Sequence, residues 1–101
     1  MKKLPSIIKV DEAAMLRALL QKMEQDLGLD DLTHSERDVL YAARLAETNS
    51  ADVIRSEDIR NIDLISDMPA PTFYKALQQL VNLEFLKPAN NSKRGQYKLV
   101  R

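Results

Sequence analysis

Thr72, Lys75 and Gln78 fall three residues apart in the stretch PAPTFYKALQQL, residues 69–80, with Gln79 next in line. A helix turns about 100° per residue, so they share one side with Pro71 and Asn82. Threonine, lysine and glutamine carry groups that read base edges or hold phosphates. The only charge on that side is positive, although acidic residues crowd the chain before it. An ordinary solvated face would mix Glu with Lys, as the first helical stretch does. The alternative reading of the same residues is a plain polar face.

A second basic cluster lies in NNSKRG, residues 90–95, where Lys93 and Arg94 precede one of only two glycines. A basic loop beside a basic helix is what a phosphate backbone would select, and an arginine on such a tip can reach a narrow minor groove. The chain has 15 basic and 15 acidic residues, a balance of zero, which by itself argues against nucleic acid. The distribution is uneven. Residues 69–101 hold six basic residues and one acidic one, Glu84, while residues 32–68 hold four basic and eight acidic. The last third is thus +5 and the remainder −5, which points to a C-terminal surface facing a polyanion.

Other chemistries find little support. There is no cysteine and one histidine, His34, in an exposed first turn. No glycine-rich phosphate loop or metal-ligand spacing occurs. No catalysis, cofactor or metal is expected. The pairs Asp30-Asp31 and Glu57-Asp58 read as turn chemistry and helix-dipole compensation. The apolar run in MKKLPSIIKV is broken by Pro5 and Lys9 and is too short for a signal peptide, and no other segment could span a membrane. A cytoplasmic location is the default expectation.

The elements that position these groups follow from periodicity. Asp11 reads as the N-cap of DEAAMLRALLQKMEQDLG. Leu16, Leu19, Leu20, Met23 and Leu27 recur there at helical spacing, and Gly28 suits the left-handed C-terminal position. That stripe either packs on the chain's own core or forms a dimer seam. Thr33 and Glu36 make a capping box for a second helix, with Leu32 as its staple and Val39, Leu40, Ala43 and Ala46 as its buried face. Asn49, Ser50 and Asp52 read as turn formers, and Val53-Ile54 as a very short strand. Ser56 reads as the cap of a third helix, which buries Ile59, Ile62 and Ile65 and ends at SDMP. The fourth helix begins at Pro69 or Pro71 and buries Phe73, Leu77, Leu80 and Val81. Phe85-Leu86 and Gln96–Val100 read as strands joined by the NNSKRG tip.

From Thr33 onward this order resembles the winged helix-turn-helix domain of bacterial transcription regulators, notably the MarR-like group. SEDIRNIDLI looks like the positioning helix, SDMP the turn, APTFYKALQQLVNLEFL the recognition helix, and KPANNSKRGQYKLV the wing. The implied fold is mainly α with a small β-hairpin wing, residues 32–101, preceded by an N-terminal arm and helix over residues 1–31. The resemblance implies that Ala70, Pro71, Thr72, Tyr74 and Lys75 lie nearest the bases, with Gln78 and Gln79 near bases or phosphates. Lys93 and Arg94 would hold the flanking backbone or minor groove, with Ser56 and Arg60 as weaker phosphate candidates. It implies a regulator of double-stranded DNA, homodimeric through Leu16, Leu19, Leu20, Met23 and Leu27. An adaptor module making protein contacts is the alternative, favoured by the zero net charge and the acidic middle. Two features depart from the pattern. Glu84 stands where glycine is usual, so either the helix ends differently or Glu84 accepts roughly 1 kcal/mol of strain. The two prolines remove N–H groups that could grip a phosphate.

Overall fold

Four helices and three short strands follow one another in the computed structural model, which describes residues 7–49, 53–89 and 95–100. The chain divides into two compact units, residues 1–31 and 32–101.

In the first unit, α1 spans Ile7–Asp26. It begins ahead of Asp11, which lies inside the helix and does not cap it. Nothing between Ile7 and Asp11 breaks a helix, so the turn simply continues back past the aspartate. At the other end Leu27 N donates to Met23 O at 3.0 Å and Gly28 N to Gln25 O at 3.1 Å. Gly28 then takes φ 76°, the left-handed geometry that glycine adopts without steric cost. A 3-10 turn, Leu29–Asp31, closes the unit.

The second unit opens on the capping box. Thr33 N donates to Glu36 Oε1 at 2.9 Å, and Glu36 N to Thr33 Oγ1 at 3.2 Å. Two otherwise orphaned donors at the start of α2 (His34–Asn49) are satisfied reciprocally. Leu32 is buried beside this cap. The residue facing it one turn on is Arg37, whose Nη1 donates to Leu32 O at 3.0 Å. A polar bond therefore stands where an apolar staple was expected. The buried face of α2 is Val39, Ala42, Ala43 and Ala46. Leu40 is only half-buried, because the face is centred one position further round the helix. The helix also runs through Asn49, which was expected in the turn; Ser50 and Asp52 lie outside the described residues.

Strand β1 is Ile54–Arg55, one residue later than expected, and α3 follows at once over Ser56–Arg60. Ser56 is the first helical residue and not the cap. Its N–H is committed to Gly95 O at 2.9 Å, and the capping contact is made by Asp58, whose Oδ2 accepts from Arg55 N at 3.3 Å. The expected ten-residue third helix is broken. After five residues the chain turns at Asn61-Ile62 and resumes as a 3-10 turn, Asp63–Ile65. Ile59 and Ile65 are buried, and Ile62 is half-buried at the break.

Helix α4 spans Ala70–Asn82, with Pro69 at the N-cap and Pro71 in the first turn. It buries Phe73, Ala76, Leu77 and Leu80, with Val81 half-buried. The helix packs on α2, so large side chains of one face the alanine-rich surface of the other. Its end is a Schellman motif: Glu84 N donates to Val81 O at 3.0 Å and Phe85 N to Leu80 O at 2.9 Å. Glu84 sits at φ 68°, so the chain keeps the glycine-type turn and places a glutamate in it.

Strands β2 (Leu86–Pro88) and β3 (Gln96–Leu99) complete an antiparallel sheet in the order β1-β3-β2. The register pairs Leu86 with Leu99, Pro88 with Tyr97 and Ile54 with Tyr97. Pro88 lies on an edge strand, where its missing N–H breaks no ladder bond. The described protein is thus mainly helical with one small antiparallel sheet.

Candidate nucleic-acid interface

The exposed side of α4 is set by its buried side. With Phe73, Ala76, Leu77 and Leu80 turned inward, Pro71, Thr72, Lys75, Gln78 and Asn82 are exposed and Gln79 and Ala70 are half-buried. No acidic residue lies between Pro69 and Leu83. Lys75 has no ion-pair partner among the described residues. Its ammonium is therefore available to an outside anion. Gln78 is engaged within the helix: its Nε2 donates to Asn82 Oδ1 at 3.2 Å, one turn on. Asn82 was not among the expected site residues, although its i+4 spacing from Gln78 signals the contact.

Tyr74 departs from the rest of the set. Half-exposed, it turns toward α3 and packs edge-on against Phe73, with ring centroids 4.9 Å apart. The Arg60 guanidinium stands 5.8 Å from both ring centres, a distance at which a cation is attracted to the ring face. Ser56, Glu57, Arg60, Asn61, Ser66 and Tyr74 line an open depression of about 540 Å³. Arg60 thus holds the start of α4 against α3. Its position suits a brace for Tyr74 at least as well as a phosphate contact, and Ser56 is half-buried with its N–H already used.

The α4 N-terminus offers little to an anion. Its N-cap is Pro69 and its second residue is Pro71, so two of the amides that would point outward are missing. Any partner of this face meets side chains. Lys93 and Arg94 lie outside the described residues. The segment's two ends are fixed, however, since Ala89 N donates to Gln96 O at 2.9 Å. Three cations that periodicity alone had not singled out, Arg55, Lys87 and Lys98, lie on the sheet; only the strand register shows that they share a face.

On α1, the residues Leu16, Leu19, Leu20, Met23 and Leu27 are all exposed, from 38% at Leu20 to 68% at Leu27. Among the described residues no helix is long and apolar enough to cross a membrane, and no group of three His, Asp or Glu side chains is placed to hold a metal ion. No known protein family matches the chain, and neither a curated protein nor a solved structure does.

Proposed function

We propose that residues 32–101 form a winged helix-turn-helix domain that binds double-stranded DNA in a sequence-specific way and serves in transcriptional regulation. In this reading α3 is the positioning helix, Ser66–Met68 the turn and α4 the recognition helix. Strands β2 and β3, with the segment between them, are the wing. One observation carries it: the exposed side of α4 presents Thr72, Lys75, Gln78 and Asn82 with no acid among them, directly after a stretch holding Asp63 and Asp67. In the major groove Gln and Asn pair with adenine and Lys with guanine, at about 1–3 kcal/mol of discrimination for each good bidentate pair. Ala70, Pro71 and Thr72 enter first. Lys93 and Arg94 are assigned to the flanking backbone or minor groove. The exposed α1 stripe is assigned to a homodimer seam, so that two recognition helices address a two-fold site.

Selection of bound duplexes from a random pool tests this directly. The expected product is an inverted repeat with half-sites about 10–10.5 base pairs apart, and binding to it weakens for Lys75→Ala. The adaptor reading rests on the zero net charge and the eight acidic residues of 32–68. It requires the opposite outcome, a pool recovered with no sequence enriched.

A further inference from the structure

Helix α1 exposes more apolar surface than one seam can cover. Leu16, Leu20, Met23 and Leu27 recur at intervals of four, three and four residues, the spacing of a seam between two helices. Met15 and Leu19 lie outside that seam. They stand four residues apart and lead on to Met23, so they form a second row beside the first. Met15 and Leu20 are five residues apart, so at about 100° per residue the two rows together span about 140° of the helix. Val10, Ala14 and Ala18 continue round it as smaller side chains. A two-helix seam takes two positions in seven, and a helix inside a larger bundle takes three. From Met15 to Leu20 there are four large apolar side chains in six residues. The second row is as open as the first, with Met15 72% and Leu19 55% exposed. Among its described residues the first unit holds one further element, the 3-10 turn Leu29–Asp31, and both rows stay open beside it.

Apolar patches of this extent mark surfaces that a partner covers. Identical chains make self-complementary contacts about two-fold axes, so each row meets the same row of another copy. A dimer uses one row and leaves the other in water. A helix with two rows therefore has two neighbours, joined by two different two-fold contacts. Alternating those contacts closes a ring only at even numbers, and four is the smallest. Four helices related by crossed two-fold axes make a four-helix bundle with a closed apolar centre.

We propose that α1 assembles four copies of the chain into a four-helix bundle, a dimer of dimers, so that one particle presents two pairs of recognition helices and holds two duplex DNA sites at once. The bundle follows from α1 alone, and the bridging of two sites rests on the DNA-binding reading above. The full chain is weighed by sedimentation equilibrium at micromolar concentration. The expected mass is about 46 kDa, four times 11.5 kDa. Met15→Glu/Leu19→Glu is expected to halve it, and so is Leu16→Glu/Leu27→Glu, because each pair removes one row. All four changes together should return the 11.5 kDa chain, with circular dichroism still helical. Bridging is read with two copies of the duplex selected from the random pool, one fixed to beads and one carrying a fluorophore. Wild type should hold the fluorescent duplex on the beads. Either row variant should bind it in solution and fail to hold it there. A wild-type mass of two copies or fewer at every concentration overturns the bundle. So does a four-copy mass that survives both row variants, since the assembly then lies elsewhere. A four-copy particle that binds one duplex and captures no second overturns the bridging. A four-copy particle for which the pool yields no sequence overturns the DNA-binding reading and the bridging with it, and leaves the bundle standing.

Discussion

Helices α1 and α4 both carry leucines at helical spacing and end in opposite situations. In α4 the apolar residues Phe73, Leu77 and Leu80 are all but inaccessible. In α1 the residues Leu16, Leu19, Leu20, Met23 and Leu27 remain open to solvent. Part of the difference lies in the stripes: the apolar residues of α4 gather on one side, whereas in α1 Val10, Ala14, Met15 and Ala18 carry them round the helix. Part lies in what each unit supplies within itself to cover them. Helix α4 has α2, with Val39 and three alanines, to lie against. A helical apolar stripe fixes a side to be buried, and says nothing of whether the covering surface belongs to the same chain.

The sharpest way to break this comparison is to truncate one leucine from each helix. Leu80→Ala removes a side chain with no exposed surface and is expected to destabilise by about 2–5 kcal/mol, read as a lower urea midpoint at any protein concentration. Leu20→Ala should cost under ~0.5 kcal/mol in dilute solution, as for an ordinary surface position. If α1 pairs with a second copy, its effect appears only as concentration rises, as a weakened dimer in sedimentation and a melting temperature that no longer climbs with concentration. A loss at Leu20 as large as that at Leu80, and independent of concentration, would show that α1 is a core helix and end the contrast.

A second, smaller test concerns how the two helices stop. Both end on a left-handed residue, Gly28 after α1 and Glu84 after α4, at φ 76° and 68°. Nothing lies within 4 Å of a Cβ built on Gly28, so backbone strain alone separates the two sites. Glu84→Gly should stabilise by about 1 kcal/mol, and Gly28→Ala should destabilise by a similar amount. Equal and opposite shifts in melting temperature would show that the turn geometry is the same and only the occupant differs.

What could be read from the amino-acid order divides along the same line of local against distant causes. The Thr33–Glu36 capping box and the buried side of α4 depend on residues a few positions apart and are legible in the chain; the left-handed Glu84 is one of two alternatives that the family resemblance leaves open, and the structure takes that one. The break in the third helix is not legible. Ser56 gives its N–H to Gly95, 39 residues on, and Asp58 caps through Arg55 because β1 runs straight into α3. Arg55 belongs to a strand because Gln96 pairs with it. The Lys87–Lys98 juxtaposition needs the register of a hairpin whose connection is long, and no periodicity in either strand reveals it. Asp11 shows the converse: a residue of good capping type lies inside the helix, since no breaker stands between Ile7 and it.

The least costly change bears most directly on the α4 face. The bond between Gln78 and Asn82 joins neighbours one helical turn apart on an exposed surface, and such pairs contribute about 0.2–0.5 kcal/mol. A good base contact is worth about 1–3 kcal/mol of discrimination. The larger quantity wins, so under the DNA-binding proposal the internal bond does not disqualify Gln78 from reading a base. Asn82→Ala should leave stability within ~0.5 kcal/mol and leave sequence preference intact. Gln78→Ala should be as mild in stability and, if the DNA-binding proposal holds, relax selection at one base position in each half-site. The reverse assignment, with preference lost on Asn82→Ala and kept on Gln78→Ala, would move the point of readout one turn toward the end of α4 and take its first residues out of the groove.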